Sequence, residues 1–450
     1  TIKYFEKPVL YYWLSAAAIK IAGLSIGSIR GVNAILGLLG CLLTYVTACR
    51  LYGRLTGLLA ALILGTSLLY FVMAQMISLD LPVTVFLAAT LYAFILGYQY
   101  PPGNKTRRAY FWGAAASAAL AVLTKGLIGI VLPLLVIAAW LMMMQPFSAK
   151  TGYRSYLKNS FATLTQLYLP SCLLVFLLIA APWHLLVGYY NPEFFYFYFI
   201  EQHVLRYATK AIGHYQPVWY FIPILILGLL PWVVFLPQAI AASLPRHWQQ
   251  RQNAATPLFF LLWAVLIFIF FSFSKSKLIP YILPVFPPLA ILLGHYLSKK
   301  IFINASARLR ITLISMITFA WLFLLTLLIF APQLDTRTIL PLAKKLRPIL
   351  TPQDEVITYN QYYQDLPFYL ERRISILNWR NELTFGMQHQ DTRAWMIDND
   401  TFWRRWYSQQ RVFVIMSLSE YEVFKERFKT NPGYVLGKTT KHILVANKIT

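Results

Sequence analysis

Acidic residues are scarce in this sequence. Only 16 of its 450 residues are Asp or Glu, against 40 Lys and Arg. Charged residues amount to 12% of the chain, about half the share found in ordinary soluble domains. Hydrophobic residues make up 58%, and the mean hydropathy is +0.56. This composition excludes a disordered chain, a fibrous protein and most soluble enzymes.

Cysteine motifs and nucleotide-binding loops are also lacking. The three cysteines, Cys41, Cys49 and Cys172, lie in apolar runs without CxxC or zinc-type spacing, which indicates small core residues. No GxGxxG, Walker A motif or internal repeat supports a nucleotide site. No cleavable signal pattern is visible, and the chain begins at Thr1 directly on a charged motif. We therefore expect that an N-terminal piece is missing from it.

Long apolar runs are what the sequence has instead. Several approach or exceed 18 nearly uncharged residues, the length that spans a bilayer. The runs predict about ten helices, near 28–50, 55–75, 80–98, 110–124, 126–144, 167–189, 217–237, 257–273, 279–297 and 311–331. Another apolar stretch, 8–25, is interrupted by Lys20 and fits either a spanning or an interfacial helix.

Successive loops between spanning helices lie on opposite sides of a membrane, and this assignment divides the basic residues into two groups. One set of loops holds fourteen Lys and Arg and no acidic residue; these loops are 50–54, 99–108, 145–166, 238–256 and 298–310. The positive-inside rule places them in the cytoplasm. Much of the net charge of +24 then only sets orientation, and no nucleic-acid partner is needed to explain it.

All four acidic residues before position 332 fall on the opposite side, namely Glu6, Asp80, Glu193 and Glu201. The same side carries several basic residues, among them Lys7, Lys125, Arg206, Lys275 and Lys277. Charges near or within a membrane are costly and by default indicate function. We therefore expect an anionic ligand at the non-cytoplasmic face.

Residues 332–450 differ in kind from residues 1–331. Short strand-like runs occur at 356–359, 374–377, 412–416 and 442–446, and amphipathic helical patterns occur near 362–371, 391–408 and 419–429. The fold class predicted is an α-helical polytopic membrane protein, residues 1–331, followed by a small α/β domain outside the membrane, residues 332–450.

Each candidate site residue has a plain alternative. Asp80 can act as a base, orient an acceptor or bind a metal, or it can simply stabilise a helix N-terminus. Lys7 and Lys125 can pair with a phosphate, or can anchor and snorkel at the membrane edge. Two lysines in one short turn, Lys275 and Lys277, strengthen the phosphate interpretation. Helical spacing brings His203 near Arg206, whose planar fork suits phosphate.

Six short motifs occur together on this face. They are Tyr4-Phe5-Glu6-Lys7-Pro8, Leu79-Asp80, Leu123-Thr124-Lys125-Gly126, Glu201-Gln202-His203-Val204-Leu205-Arg206, His214-x-x-Pro217-x-Trp219-Tyr220 and Lys275-x-Lys277-Leu278-x-x-Tyr281-x-Leu283. Over about residues 1–300 the chain resembles the bacterial lipid A aminoarabinose transferase family, within the protein O-mannosyltransferase superfamily. Family members begin with a further helix and an acidic outer loop, which we expect to belong to the missing N-terminal piece.

The resemblance implies an integral inner-membrane glycosyltransferase of the GT-C fold, with its active site and C-terminal domain on the periplasmic side. It implies undecaprenyl phosphate carrying a sugar (4-amino-4-deoxy-L-arabinose in the best-known members) as donor, and a lipid A phosphate or other lipid phosphate as acceptor. Lys7 and Asp80 would be catalytic. Lys7, Lys125, Arg206, Lys275 and Lys277 would bind substrate phosphates. Glu6 and His214 would hold a divalent metal, zinc or magnesium/manganese.

Two other functions remain open at this point. A transferase of the same superfamily would use a protein or cell-wall hydroxyl as acceptor, and Asp80 would then be a true base. A membrane transporter is the rival from another class. Transporters place polar residues near the membrane midplane in repeated or broken helices, whereas here the charges cluster at one face and no repeat is seen.

Overall fold

The computed structural model describes residues 2–145, 165–205, 207, 215–304, 307–427 and 433–449. The chain forms two compact units. The helical unit is Phe5–Leu324, and the C-terminal unit is Leu325–Thr450 together with Thr1–Tyr4. The boundary near Leu325 therefore falls inside a helix, slightly before the predicted one at 331–332.

The helical unit is built from thirteen described α-helices, the last of which continues into the C-terminal unit. They are α1 (Leu10–Ala22), α2 (Ile26–Tyr52), α3 (Arg54–Thr66), α4 (Leu68–Gln75), α5 (Asp80–Tyr98), α6 (Lys105–Lys125), α7 (Ile128–Met144), α8 (Leu169–Tyr190), α9 (Phe221–Gly228), α10 (Leu236–Ser243), α11 (Ala255–Phe273), α12 (Phe286–Asn304) and α13 (Ala307–Leu334). A π-helical segment covers Tyr196–Leu205, and short 3₁₀ segments cover Val218–Tyr220, Trp232–Phe235, Trp248–Ala254 and Ile279–Val285.

Six helical segments of the described chain are long and apolar enough to cross a membrane, and two bent helix pairs bring the number to as many as eight. The predicted helix 55–75 is one such pair, because Ser67 adopts an extended conformation and bends α3 against α4 by 63°. The predicted helix 217–237 is likewise broken, by 106°. The predicted helices 110–124 and 126–144 are present as α6 and α7, but α7 has only 17 residues.

Helix α5 lies at the centre of the helical unit. Its residues are apolar on all sides rather than along one stripe, which is typical of a helix surrounded by others. Of its apolar 18-residue stretch, 78% is buried. The Phe94 ring contacts the rings of Phe111, Trp140 and Phe259 at centroid distances of 5.7, 5.9 and 5.8 Å. This packing holds the helix whose first residue is Asp80.

Helices α3 and α12 approach each other at small residues. A Cβ atom on Gly294 would lie 2.8 Å from the Ala60 backbone nitrogen and 3.1 Å from the Ala60 Cα. The Thr56 and Ser298 hydroxyls form a hydrogen bond of 2.7 Å across the same pair of helices. Close backbone approach at small residues, with hydroxyls bonded across, is how helices pack where lipid offers no hydrophobic drive.

The C-terminal unit contains a six-stranded sheet. Its strands are β1 (Glu355–Tyr359), β2 (Ser375–Leu377), β3 (Met396–Ile397), β4 (Val412–Ser417), β5 (Tyr434–Lys438) and β6 (His442–Ala446), in the order β3-β2-β1-β4-β6-β5. Strands β1 to β4 are parallel, and β6 pairs antiparallel with β4 and β5. The helices are α14 (Leu340–Leu346), α15 (Leu366–Leu370), α16 (Thr384–His389), α17 (Asn399–Trp406) and α18 (Leu418–Arg427).

Four of the six strands were predicted from sequence, and the other two had weak signals. Strand β3 has only two residues, and the edge strand β5 leaves three of its five residues exposed. Buried strands of a parallel sheet read as continuous apolar runs, and an exposed edge strand does not. Apolar residues on both faces of the sheet form two separate cores.

We expect Gly294→Ala to destabilise the helical unit, because the new methyl group meets the α3 backbone, which cannot move aside as a side chain would. Overpacking of this kind costs about 1–3 kcal/mol. The thermal unfolding midpoint of the purified protein in detergent measures the effect. Gly31→Ala is the matched control, since Gly31 is also helical and has no atom within 4 Å of an added Cβ. Equal midpoints for the two variants would contradict the assigned packing.

Candidate active site

The turn before α5 holds Asp80 in place. The Ser78 hydroxyl accepts a hydrogen bond from the Asp80 backbone N–H and donates one to Asp80 Oδ2, both at 3.1 Å. Asn33 of α2 is fully buried, and its amide donates to the carbonyls of Met76 (2.5 Å) and Ser78 (2.8 Å). The turn is therefore tied to α2 as well as to α5. Sequence reasoning missed Asn33; its polar side chain inside an apolar run was the available signal.

Asp80 forms an ion pair with Lys125, the last residue of α6. Their side chains are only 14% and 13% exposed. The Lys125 ammonium lies 4.7 Å from the centre of the Tyr281 ring, a cation–π contact. A partly buried ion pair loses much of its hydration, so removing one partner leaves an uncompensated charge and is costly. Motifs far apart in sequence thus meet at one point.

A glycine turn follows Lys125. Gly126 has φ = +97°, a conformation that favours glycine, and a Cβ there would lie 2.0 Å from His203 Nε2. The Leu127 backbone N–H donates to His203 Nε2 at 3.2 Å, and His203 Nδ1 lies 2.6 Å from the Tyr198 carbonyl. These bonds assign the proton to Nδ1 of a neutral imidazole. His203 therefore connects the π-helical segment to the turn that carries Lys125.

A cavity of about 330 Å³ opens beside this pair. Most of its lining is apolar or aromatic, and it includes two ammonium groups, from Lys7 and Lys125; the other lining residues are Leu127, Ile128, Val131, Gln202, His203, Val204, Tyr207, Phe270, Phe271, Ser274, Ser276 and Tyr281. Apolar walls with a few placed polar groups are typical of small-ligand sites. Here the combination suits an amphiphilic anion, with its charge at the lysines and its apolar part along the wall.

The two lysines of the second turn differ from each other. Lys277 is 3% exposed and donates to the carbonyls of Gln216 (2.8 Å) and Ser274 (2.6 Å). Burial, and then the charge of Lys275, lower the pKa of Lys277. This arrangement favours a structural role for Lys277 over phosphate binding. Lys275 is exposed, and neither residue lines the cavity.

Two predicted site residues, Arg206 and His214, lie outside the described residues, so their positions are not assigned. Glu6 is described and half-buried, and the predicted metal pair Glu6–His214 stays a prediction. Among the described residues, no three His, Cys, Asp or Glu side chains come together in a way that could hold a metal ion.

The chain is similar in sequence to several proteins of known family. The family model described as "Dolichyl-phosphate-mannose-protein mannosyltransferase" matches residues 1–198, and "Aminoarabinose transferase C-terminal domain" matches residues 342–447. Two curated relatives are named undecaprenyl phosphate-alpha-4-amino-4-deoxy-L-arabinose arabinosyl transferases. The one from Erwinia tasmaniensis is 32% identical over 302 residues, and the one from Proteus mirabilis 34% over 299. Each alignment covers 66% of this chain and 50% of the relative. The chain thus spans about half the length of these relatives.

The whole fold is similar to solved structures of ArnT from Cupriavidus metallidurans. The structure bound to undecaprenyl phosphate has a TM-score of 0.83 and 26% identity, over 100% of this chain and 89% of that one. Over its whole length the chain is similar to the aminoarabinose transferase-like branch of the GT-C family. It is a multi-pass membrane protein. The archaeal oligosaccharyltransferase AglB from Archaeoglobus fulgidus, at 15% identity and a TM-score of 0.52 over 93% of this chain and 63% of its own, shares the fold alone.

We expect Gly126→Ala to destabilise the protein more than Gly103→Ala does. Both glycines have positive φ, +97° and +84°, but only the Gly126 methyl would meet His203, since Gly103 has open space around it. The difference between their unfolding midpoints isolates the His203 contact, and overpacking predicts about 1–3 kcal/mol. In the double variant Gly126→Ala/His203→Ala the clash is gone, so part of the loss should be recovered. No recovery of stability in the double variant would contradict the close contact between Gly126 and His203.

Lys277→Met should lower stability, because two buried carbonyls lose their donor, at about 1–3 kcal/mol for each group left unsatisfied. Lys275→Gln changes an exposed side chain in the same turn and should change the free energy of unfolding by less than about 0.5 kcal/mol. Thermal unfolding of both variants in one detergent measures the contrast. A neutral Lys277→Met would remove the structural role assigned here.

Proposed function

We propose that the chain is a glycosyltransferase that moves 4-amino-4-deoxy-L-arabinose from undecaprenyl phosphate to a phosphate of lipid A. The observation that carries the proposal is the apolar cavity with Lys7 and Lys125 in its wall, where Lys125 is paired with Asp80. A polyprenyl phosphate has the same two parts, an apolar chain and an anionic head. The sugar and the carrier are those in the names of the curated relatives and in the ligand of the ArnT structure.

The proposed location is the bacterial inner membrane, with the site open to the periplasm. The support is the distribution of charge. Fourteen basic residues and no acidic ones lie in one set of loops, and the residues of the site lie at the other ends of the helices. Lipid A as acceptor would be reached at that face.

The proposed mechanism is direct displacement at the anomeric carbon. A bond forms from an acceptor phosphate oxygen to this carbon, while the bond from the carbon to the undecaprenyl phosphate oxygen breaks and its electron pair leaves with that oxygen. The acceptor phosphate is already anionic and needs no base. The protein mainly has to hold two anions close together and stabilise the departing phosphate, and fixed positive charge suits both tasks.

Lys7 and Lys125 would supply that positive charge. Asp80 holds the Lys125 ammonium through one carboxylate oxygen and accepts from Ser78 through the other. Its role in this proposal is to position Lys125. It would serve as a base only with a hydroxyl acceptor. Arg206 is proposed as a further phosphate ligand, and Lys275, which lies between the lining residues Ser274 and Ser276, as a helper.

A divalent metal at Glu6 and His214 stays part of the proposal inherited from the resemblance, as an added counter-charge for phosphate. Only Glu6 is among the described residues. The steps given above rest on the side chains of the chain alone.

Lys125→Met should reduce transfer at least about 100-fold, the scale of losing one preorganised electrostatic group. Lys105→Met is the matched control: Lys105 is the exposed first residue of the same helix, α6, whose last residue is Lys125. Lys7→Ala and Asp80→Asn should also lose most of the activity, because the first removes a phosphate ligand and the second frees Lys125. The assay uses the purified protein in proteoliposomes with donor and lipid A, and mass spectrometry detects modified lipid A.

Near-normal turnover in Lys125→Met, Lys7→Ala and Asp80→Asn together would refute this site. If the wild-type protein leaves lipid A unmodified and transfers the sugar to a protein or cell-wall hydroxyl, the proposed donor stands and the proposed acceptor is replaced. The match to the protein mannosyltransferase family model makes that the second outcome to examine. Asp80→Asn would then be the most damaging variant, because a hydroxyl needs a base.

A further inference from the structure

A second cavity lies in the C-terminal unit, where the order of the sheet reverses. The chain runs from β1 outward to β2 and β3, then returns to β4 on the other side of β1. In open α/β sheets, ligands bind beyond the carboxyl ends of the strands at such a reversal. A cavity of about 530 Å³ is found there, lined by Gln361 just after β1 and by Ser417 at the end of β4.

The lining of this cavity is basic and rich in hydroxyls. Arg337 and Lys441 line it together with Ser417, Ser419 and Thr440, and no acidic residue is among its lining residues. Arginine and lysine next to hydroxyl donors form the usual protein environment of a phosphate. The volume is that of a small-molecule site rather than of a single ion.

Two buried polar atoms at this cavity have no hydrogen-bond partner in the described part of the chain. They are the Tyr363 hydroxyl and His442 Nδ1. Both residues line the cavity, both are 7% exposed, and their ring centres are 5.1 Å apart. Buried polar atoms are almost always hydrogen-bonded, so two unpaired ones on residues that line the same cavity point to a bound partner, either water or a ligand, that completes them.

The charges around His442 favour its neutral form. Burial is the main cause that lowers the pKa of His442, and the Lys441 charge adds to it, while Asp365 acts in the opposite direction. Burial, and then the charge of Glu420 in the first turn of α18, raise the pKa of Tyr363. The Glu420 carboxylate also accepts a hydrogen bond from the Asn360 amide. With His442 neutral, the positive charges in the cavity lining are those of Arg337 and Lys441.

The first turn of α18 also favours a negatively charged ligand at this cavity. This helix has 10 residues, and its Glu420 N–H donates to the Ser417 hydroxyl at 3.2 Å, which lies 3.0 Å from the Ser419 hydroxyl. The positive end of the helix dipole therefore faces the two serines, and an anion is favoured there.

We propose that this cavity binds a phosphate monoester, carried either on a soluble sugar phosphate or on a lipid headgroup. Arg337 and Lys441 pair with the phosphate, and the hydroxyls of Ser417, Ser419 and Tyr363 donate to its oxygens. The site is separate from the proposed transferase site, so either can fail while the other stands.

The test is a calorimetric titration of the full chain in phosphatidylcholine nanodiscs with a hexose 1-phosphate. We expect saturable one-site binding, weakened at least about five-fold in Lys441→Gln because a charge-assisted bond is lost. Lys438→Gln removes the same charge from exposed strand β5, outside the cavity lining, and should leave the affinity unchanged. A parallel arm replaces part of the lipid with phosphatidic acid: competition with the sugar phosphate indicates a headgroup source, and no competition a soluble one.

Tyr363→Phe separates binding from folding. It keeps the buried ring and removes only the unpartnered hydroxyl, so the variant should fold at least as well as the wild type. A site predicts a loss of affinity of about two-fold to five-fold for one neutral donor. A purely structural residue predicts unchanged affinity. The proposal is overturned if neither the soluble ester nor phosphatidic acid binds saturably, or if wild type, Lys441→Gln and Tyr363→Phe bind equally.

Discussion

The ion pair between Asp80 and Lys125 is the interaction around which the membrane site is arranged. Both side chains are mostly removed from solvent, so the loss of either one would leave an uncompensated charge behind. The surrounding contacts keep them together. Ser78 and Asn33 fix the turn of Asp80, Tyr281 covers the ammonium, and the His203 contact fixes the turn after Lys125. A charge can be held this way only on a rigid scaffold, and the buried helix α5 supplies one.

This arrangement links the apolar composition to the chemistry. A carboxylate near the membrane is costly unless a cation compensates it, and Asp80 is one of only 16 acidic residues in this apolar chain. The pair leaves the Lys125 ammonium fixed at the wall of an apolar cavity, within reach of an amphiphilic anion. Lys7 adds a second positive charge from the N-terminal segment. Electrostatic preorganisation of this kind needs no movement of the protein when a phosphate arrives.

The C-terminal unit follows the same logic with different elements. A parallel sheet aligns the carboxyl ends of its strands, so the residues after β1 and β4 meet at one edge although they are distant in sequence. Arg337 and Lys441 then lie at a common cavity with hydroxyls from the start of α18. Both units thus place basic side chains at the ends of regular elements, where backbone geometry holds them.

The sequence alone determined the fold class, the presence of spanning helices and four of the six strands, because these depend on runs of apolar residues that one segment displays by itself. It also named Asp80, Lys125 and Lys7, since charges in apolar surroundings are conspicuous. Tertiary structure decided the rest: the breaks in the predicted helices 55–75 and 217–237, the difference between Lys275 and Lys277, and the contributions of Asn33 and His203. Such features depend on which distant residues face each other, and local periodicity carries no information about that.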